Sequence, residues 1–411
     1  MSERRRPGTG EALTRRALMC GALAILLSST TGAMQTKQII NRDNLNLPFS
    51  SAVKAGGLIY VSGAMGTDAQ GRILGADVKA QTKQTLDNLA ATLKDAGSSM
   101  AQVASVTVYL KNVGDFAAMN DVYKTYWPKD PPTRTTVITN LVLPDGLVEM
   151  SMVAIPNGGE RKVVHPGDWM TSPNPYSYGI QSGNTLFMAG LIARSGKDNT
   201  PVEGDMTTQT KAVLANASSI LSAAGMSAQD VVSARVYITD TAGFQDMNAA
   251  YRTFFTKDPP ARATVRVGLT APQYKVEITM VAVKDSTRTP FTTPAADGTP
   301  GQANPNLSSA IRVGNRLYVS GILGNTDTNK TDAAAQTRET MARIRRTLTA
   351  AGFDWTHVVD GVVYITDVKN FGAMNTAYKE VLSKDFPARA TVETGLMGAD
   401  GLVEIMFTAV K

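Results

Sequence analysis

Three arginines and three glutamates recur at fixed intervals along this 411-residue chain, and they are the residues best suited to carry chemistry. Arg134 sits in Thr-Arg-Thr-Thr-Val, and Arg262 and Arg389 in Ala-Arg-Ala-Thr-Val; Glu149, Glu277 and Glu404 each follow a valine in Leu-Val-Glu-Met, Lys-Val-Glu-Ile and Leu-Val-Glu-Ile. Each carboxylate interrupts a stretch that is otherwise apolar on both faces, where an unpaired charge is costly. Arginine offers a planar, permanently charged fork that matches a carboxylate. Two readings follow: the pairs bind a small acid and direct a water at it, or they are ion pairs that lock parts of the fold together. No histidine occupies a repeated position, and there is no nucleophile elbow, phosphate loop or metal-ligand spacing. Two histidines and one cysteine are too few for a zinc cluster, a haem thiolate or a disulfide framework.

The elements that position these residues are repeated with them. Phe116, Met119, Asn120 and Tyr123 recur as Phe244, Met247, Asn248 and Tyr251, and again as Phe371, Met374, Asn375 and Tyr378, at offsets of 128 and 127 that the arginines and glutamates also keep. Such a period is too long for a solenoid, and each copy is long enough to bury its own core. The expected divisions are 34–156, 160–284 and 303–411, with Asn157-Gly158-Gly159 between the first two copies and a Thr-, Pro- and Gly-rich linker at 285–302.

Within the first copy the pattern predicts a strand at Leu58–Ala64 and an amphipathic helix at Asp77–Ala96, with Leu86, Leu89 and Leu93 on one face and Gly97 as its stop. A strand at Val103–Leu110, a helix at Asp115–Trp127, and strands at Thr135–Thr139 and Leu147–Ile155 follow, the last two joined near Pro144-Asp145-Gly146. The fold class is α+β, two helices on one face of a mixed sheet. Asn120, Asn248 and Asn375 fall inside the apolar stripe of the second helix, where each amide steadies a site or is satisfied by loop backbone. A hairpin turning at Pro144 would leave Glu149 some five residues beyond the partner of Arg134, too far to touch at about 3.3 Å per residue. Arginine and glutamate therefore meet across copies, at charged clefts between three packed sheets.

Residues 1–33 read as an export signal: Arg15-Arg16 opens a twin-arginine pattern, an apolar run reaches Leu27, and small residues end at Ala33. That run is about half the ~20 residues needed to span a bilayer. Cleavage removes Cys20 and places the mature chain in the periplasm or otherwise outside the cytoplasm, free of the membrane. The segment also holds five arginines against two glutamates, leaving 36 basic and 33 acidic residues in the remainder of the chain. A surface so balanced has no basic run to track nucleic acid.

Tyr60-Val61-Ser62-Gly63, the helix motif with Asn120, Pro132-Thr133-Arg134 and Val148-Glu149-Met150 resemble the YjgF or RidA family of imine and enamine deaminases. Val319-Ser320-Gly321, Pro387-Ala388-Arg389 and Val403-Glu404-Ile405 repeat the resemblance in the third copy, and all three copies are covered. The resemblance implies a chorismate-mutase-like unit that assembles as a trimer with sheets inward, helices outward and a site at each seam; three copies in one chain imply a monomeric pseudo-trimer. It further implies that Arg134, Arg262 and Arg389 bind the carboxylate of a 2-imino or 2-enamino acid and that Gly63, Gly190 and Gly321 allow close backbone approach. Thr136, Thr264 and Thr391 occupy a position often taken by cysteine, and Glu149, Glu277 and Glu404 orient the water that releases ammonia. No cofactor is required.

The copies depart from that pattern unequally. The aromatic hydroxyl of the family's site is kept as Tyr176 but is replaced by Phe49 and Leu307, and the serine is kept as Ser62 and Ser320 but becomes Ala189. If the aromatic hydroxyl and the glutamate come from one copy while Ser, Gly and Arg come from its neighbour, the seam built on Arg262 lacks both hydroxyls and is the weakest. Besides an exported deaminase, the sequence allows a non-catalytic binder of small carboxylates, which would not need the glutamates. Ribonuclease activity, sometimes ascribed to the family, fits poorly with the balanced charge.

Overall fold

The computed structural model describes residues 37–42 and 47–411; residues 1–33, read above as an export signal and holding Cys20, lie outside them. Each copy forms one sheet with two helices. In the first copy the sheet order is Gln38–Ile40, Ala52–Ala55, Leu58–Met65, Val148–Ala154, Val103–Leu110, Thr133–Ile138. The last four recur throughout and are called here the serine, glutamate, central and arginine strands. They are Thr185–Met188 with Leu191–Ile192, Val276–Val283, Val231–Ile238 and Ala261–Arg266 in the second copy, and Arg316–Leu323, Val403–Val410, Val358–Ile365 and Ala388–Glu393 in the third.

The long helices Val78–Asp95, Met206–Ala223 and Ala333–Ala350 start where a preceding aspartate accepts a backbone N–H three residues on, as Asp77 does from Ala80 at 2.9 Å. The first ends at Gly97, whose φ of +77° lets Ser98 N–H reach back to Leu93 O at 2.8 Å. Leu86, Leu89 and Leu93 pack with Val106, Val108, Met119 and Tyr123 between helices and sheet.

The hairpin expected between arginine and glutamate strands does not form. The central strand separates them, parallel to the arginine strand and antiparallel to the glutamate strand. The helix Phe116–Tyr126 joins the central strand to the arginine strand, and a strand–helix–strand unit places its two strands side by side and parallel. Val106 lies opposite Arg134, and Tyr109 opposite Glu149. Arg134 and Glu149 are thus two strands apart, about 10 Å at ordinary strand spacing, and a further ~10 Å apart along the strand direction. The conclusion that they cannot meet within one copy holds, for a different reason.

The segment read as a linker, 285–302, carries a strand, Thr289–Phe291, that joins the third sheet beside Ala310–Val313. The sheets are also stitched together beyond each arginine strand. Ile138 bridges to Gly268 of the second copy, Val265 and Arg266 pair with Leu396 and Gly395 of the third, and Val392 and Glu393 pair with Leu141 and Asn140 of the first. The three copies therefore close into a ring. Residues from all three sheets line a cavity of about 70 Å³ at its centre. Thr107, Arg235 and Val362 occupy matching positions there, as do Ser105, Ser233 and Asp360, so a half-buried guanidinium and a carboxylate break the pseudo-symmetry.

Candidate active sites at the three seams

The arginine strand forms one side of each copy, and the serine and glutamate strands run together towards the other, so closing the ring brings them face to face. Arg134, Thr136 and Asn120 of the first copy face Tyr176, Ala189, Gly190 and Glu277 of the second, where Gly190 N–H donates to Arg134 O at 3.0 Å. Arg262, Thr264 and Asn248 of the second copy face Ser320, Gly321 and Glu404 of the third, where Arg262 N–H donates to Ser320 Oγ at 2.8 Å. Arg389 and Thr391 of the third copy, on the copy that also carries Asn375, face Phe49, Ser62, Gly63 and Glu149 of the first, where Arg389 N–H donates to Ser62 Oγ at 2.8 Å.

This corrects the expected grouping: serine and glycine stand with the glutamate of their own copy, and the arginine comes from the neighbour. Met65, at the end of the serine strand, pairs with Glu149, so serine, glycine and glutamate share one side of one sheet. Ser62 and Gly63 together oppose the single residue Ser151, a bulge that bends the strand beside the site, and Ser320 and Gly321 do the same opposite Met406. The Arg262 seam therefore keeps a serine. Its hydroxyl is already engaged, since Ser320 Oγ donates to Ser308 O at 2.6 Å while accepting from Arg262 N–H; Ser62 Oγ likewise donates to Ser50 O at 2.5 Å. These serines tie neighbouring copies together rather than offering a free hydroxyl to a ligand.

Why glycine stands beside each glutamate is visible in the packing. A Cβ on Gly63, Gly190 or Gly321 would fall within bonding contact of Oε1 of Glu149, Glu277 or Glu404 respectively. Only a bare Cα leaves room for the carboxyl to lie across the seam. The glutamates are 3–4 % exposed, and burial pushes each carboxyl up to about 8, against the lowering pull of the arginine across the seam. Thr136 N–H reaches Glu277 Oε1 at 3.4 Å, a long contact.

The arginines are buried as deeply, which lowers the pKa of each guanidinium. Arg134 lies over the ring of Tyr123 at 4.8 Å, Arg262 over Tyr251 at 4.7 Å and Arg389 over Tyr378 at 4.9 Å. Asn120 Oδ1 accepts from Arg134 and Asn248 Oδ1 from Arg262, both at 2.7 Å, so two of the helix amides steady the site. At the third seam Asn375 Oδ1 is buried with no hydrogen-bond partner among the described residues. Among the described residues, Glu149 Oε2 and Arg262 Nε and Nη1 are also buried without hydrogen-bond partners, so these groups hold unused bonding capacity at the seams.

Gln81, Gln209 and Gln336 keep the same 128 and 127 offsets, a signal in the sequence that the fold turns to use. Gln81 Oε1 accepts Leu147 N–H at 2.8 Å while its amide donates to Asp145 O at 3.0 Å, fixing the turn that launches the glutamate strand. Gln209 and Gln336 bind Lys275 and Leu402 in the same way. Arg194, which no repeated motif marks, lines the cleft with Arg134, Tyr176 and Glu277.

A family model described as endoribonuclease L-PSP matches residues 41–156, 168–284 and 300–411. A RutC family protein of Pyrococcus abyssi is 42% identical over 108 residues, covering 26% of this chain and 85% of its own. A solved member of the YjgF protein family from Neisseria meningitidis is 28% identical, covering 30% of this chain and 98% of its own, with a TM-score of 0.27. A solved chorismatase aligns over 75% of this chain and 93% of its own, with a TM-score of 0.51 and 15% identity, which is likeness of fold.

Proposed function

The chain belongs to the RidA/YjgF family in the form of three tandem copies, and from that premise we propose that it hydrolyses small 2-imino and 2-enamino acids to 2-oxo acids and ammonia at its inter-copy seams. The observation that carries this reading is the pairing, at each seam, of a buried arginine with a glutamate whose carboxyl is held near pKa 8 over a glycine. The arginine supplies a charge for the substrate carboxylate, and fixing that group holds the imine plane against the glutamate.

A carboxyl protonated at neutral pH can act in both directions. Taking the first seam, Glu277 passes its proton to the imine nitrogen, and the resulting carboxylate takes a proton from water as the water oxygen bonds to C2. The C2=N pair moves onto nitrogen, giving a carbinolamine. Glu277 then protonates that nitrogen; the C2–N bond breaks as ammonia leaves, and the hydroxyl proton returns to Glu277 as C2=O forms. Imine plus water becomes oxo acid plus ammonia, and the residue ends as it began.

Arginines only 2–5 % exposed suit a small acid in a cleft and cannot track a phosphate backbone, which argues against a ribonuclease. Export of the mature chain is part of the proposal and rests on the Arg15-Arg16 pattern; fractionation of cells carrying an Arg15→Lys, Arg16→Lys variant tests it. The activity itself is tested by generating 2-imino acids from several amino acids with an amino acid oxidase and following 2-oxo acid release with the purified chain. Rates no faster than the buffer reaction for every imine would overturn the reading.

A further inference from the structure

The three seams differ in charge: at the first a second guanidinium lines the cleft, whereas at the second Arg252, within electrostatic reach of Arg262, is exposed and donates to Asn306 Oδ1 at 2.8 Å. Arg194 lies four residues beyond Gly190, where the other copies have Thr67 after Gly63 and Asn325 after Gly321. It lines the same cleft as Arg134, Asn174, Tyr176 and Glu277. Its Nε is buried with no hydrogen-bond partner among the described residues, while one terminal nitrogen donates to Asn199 O at 3.3 Å, leaving the guanidinium with donors in reserve.

The loop that carries Arg194 is held in place by a feature of this copy alone. Trp169 packs onto Gly196 so closely that a Cβ there would overlap the indole, and Met170 N–H donates to Gly196 O at 2.9 Å. The same segment continues through Asn174 to Tyr176, whose ring meets Tyr178 at 5.8 Å, and Tyr178 in turn meets Trp169 at 4.8 Å. One aromatic cluster thus fixes both the hydroxyl-bearing ring over Arg134 and the loop of the second arginine. With the Glu277 carboxyl protonated near neutrality, the cleft presents two positive charges and no compensating negative one.

We propose that the Arg134–Glu277 seam selects substrates with a second carboxylate, that is, 2-imino dicarboxylic acids, with Arg134 holding the carboxylate beside the reacting carbon and Arg194 the distal one. The other two seams, with Thr67 and Asn325 at this position, take monocarboxylates. This rests on the deaminase reading for the word substrate, but the binding preference stands apart from turnover.

The test uses calorimetry on the full chain with 2-oxoglutarate and 2-oxobutyrate as product probes, alongside deamination of imines generated from glutamate and from 2-aminobutyrate. One site per chain should bind 2-oxoglutarate at least roughly tenfold more tightly than 2-oxobutyrate, the scale of one added charge-assisted contact. Arg194→Ala should erase that difference by weakening 2-oxoglutarate more than 2-oxobutyrate, and raise KM for the dicarboxylic imine more than for the monocarboxylic one; Arg194→Lys should recover part of the preference. Equal affinity for both probes, or equal weakening of both by Arg194→Ala, would overturn the inference. Dicarboxylate preference without any imine turnover would remove the deaminase reading and leave the site, whereas turnover without preference would do the reverse.

Discussion

Gly190→Ala is the sharpest perturbation of the seam geometry, because it adds one methyl and removes no charge. The new Cβ would collide with Glu277 Oε1, lie 2.8 Å from its carboxyl carbon and stand 3.0 Å from Thr135 Oγ1. The threonine is itself held across the seam by a 2.5 Å contact with Thr279 Oγ1, so it cannot easily retreat, and the carboxyl must swing away. Losing a positioned acid–base group costs about 10²- to 10⁴-fold in rate. The measurement belongs in a Glu149→Gln, Glu404→Gln background, so that the Glu277 seam alone supplies proton transfer. There kcat should fall by that factor to the level given by Glu277→Gln, while binding of 2-oxobutyrate, which depends on Arg134, persists. Gly114→Ala is the control, since a Cβ at Gly114 meets nothing within 4 Å and should change neither quantity. Full kcat in Gly190→Ala, with the variant's melting temperature unchanged, would show that the glutamate does not need its place over the glycine and would refute the proton-transfer role.

Other outcomes follow from the same geometry. Replacing Arg134, Arg262 or Arg389 singly by Ala should each remove one seam's turnover, a loss at that seam of roughly ten- to a hundredfold if one bidentate charge-assisted contact of about 1.5–3 kcal/mol disappears; kinetics on a single imine that leave all three variants at full activity would exclude carboxylate capture by these groups. Ser62→Ala and Ser320→Ala should lower the melting temperature with little change in KM, since each hydroxyl links two copies and is already fully engaged; a KM effect without loss of stability would reassign them to ligand binding. The glutamates tie stability to pH: with carboxyls raised from 4.5 to about 8 in the fold, the native state holds more protons than the unfolded chain between those values. Their contribution is complete below the unfolded value and is lost as pH rises through about 8, so the triple Glu→Gln variant should show a flatter melting profile from pH 5 to 8, and an unchanged slope would count against buried, protonated carboxyls. Light scattering should give the mass of one chain, and a threefold mass would mean that copies are exchanged between chains.

The repeat, its period and the α+β class were legible in the chain because a repeated core must repeat its apolar residues at one spacing, and here the functional side chains share that spacing. Helix limits were legible too, since Asp77 and Gly97 mark their ends by local backbone chemistry. Even the meeting of Arg134 with another copy's glutamate could be inferred from the cost of a buried charge, although the supposed hairpin behind that inference was replaced by a parallel strand–helix–strand unit. Strand order is a long-range property that local pattern does not encode.

Tertiary structure alone decided which halves share a seam. Serine and glycine are far from the glutamate in sequence, and only antiparallel pairing of their strands puts Gly63 under Glu149, while ring closure assigns Arg389 rather than Arg134 to that site. The same closure turned Ser62 and Ser320 from candidate ligand-binding hydroxyls into ties between copies, and brought Arg194, which has no counterpart at the repeat's matching positions, to the cleft that Arg134 lines. Side-chain types and spacings state what chemistry a chain can do; which groups share a cleft, and therefore the charge each cleft holds, follows from how the three sheets close on one another.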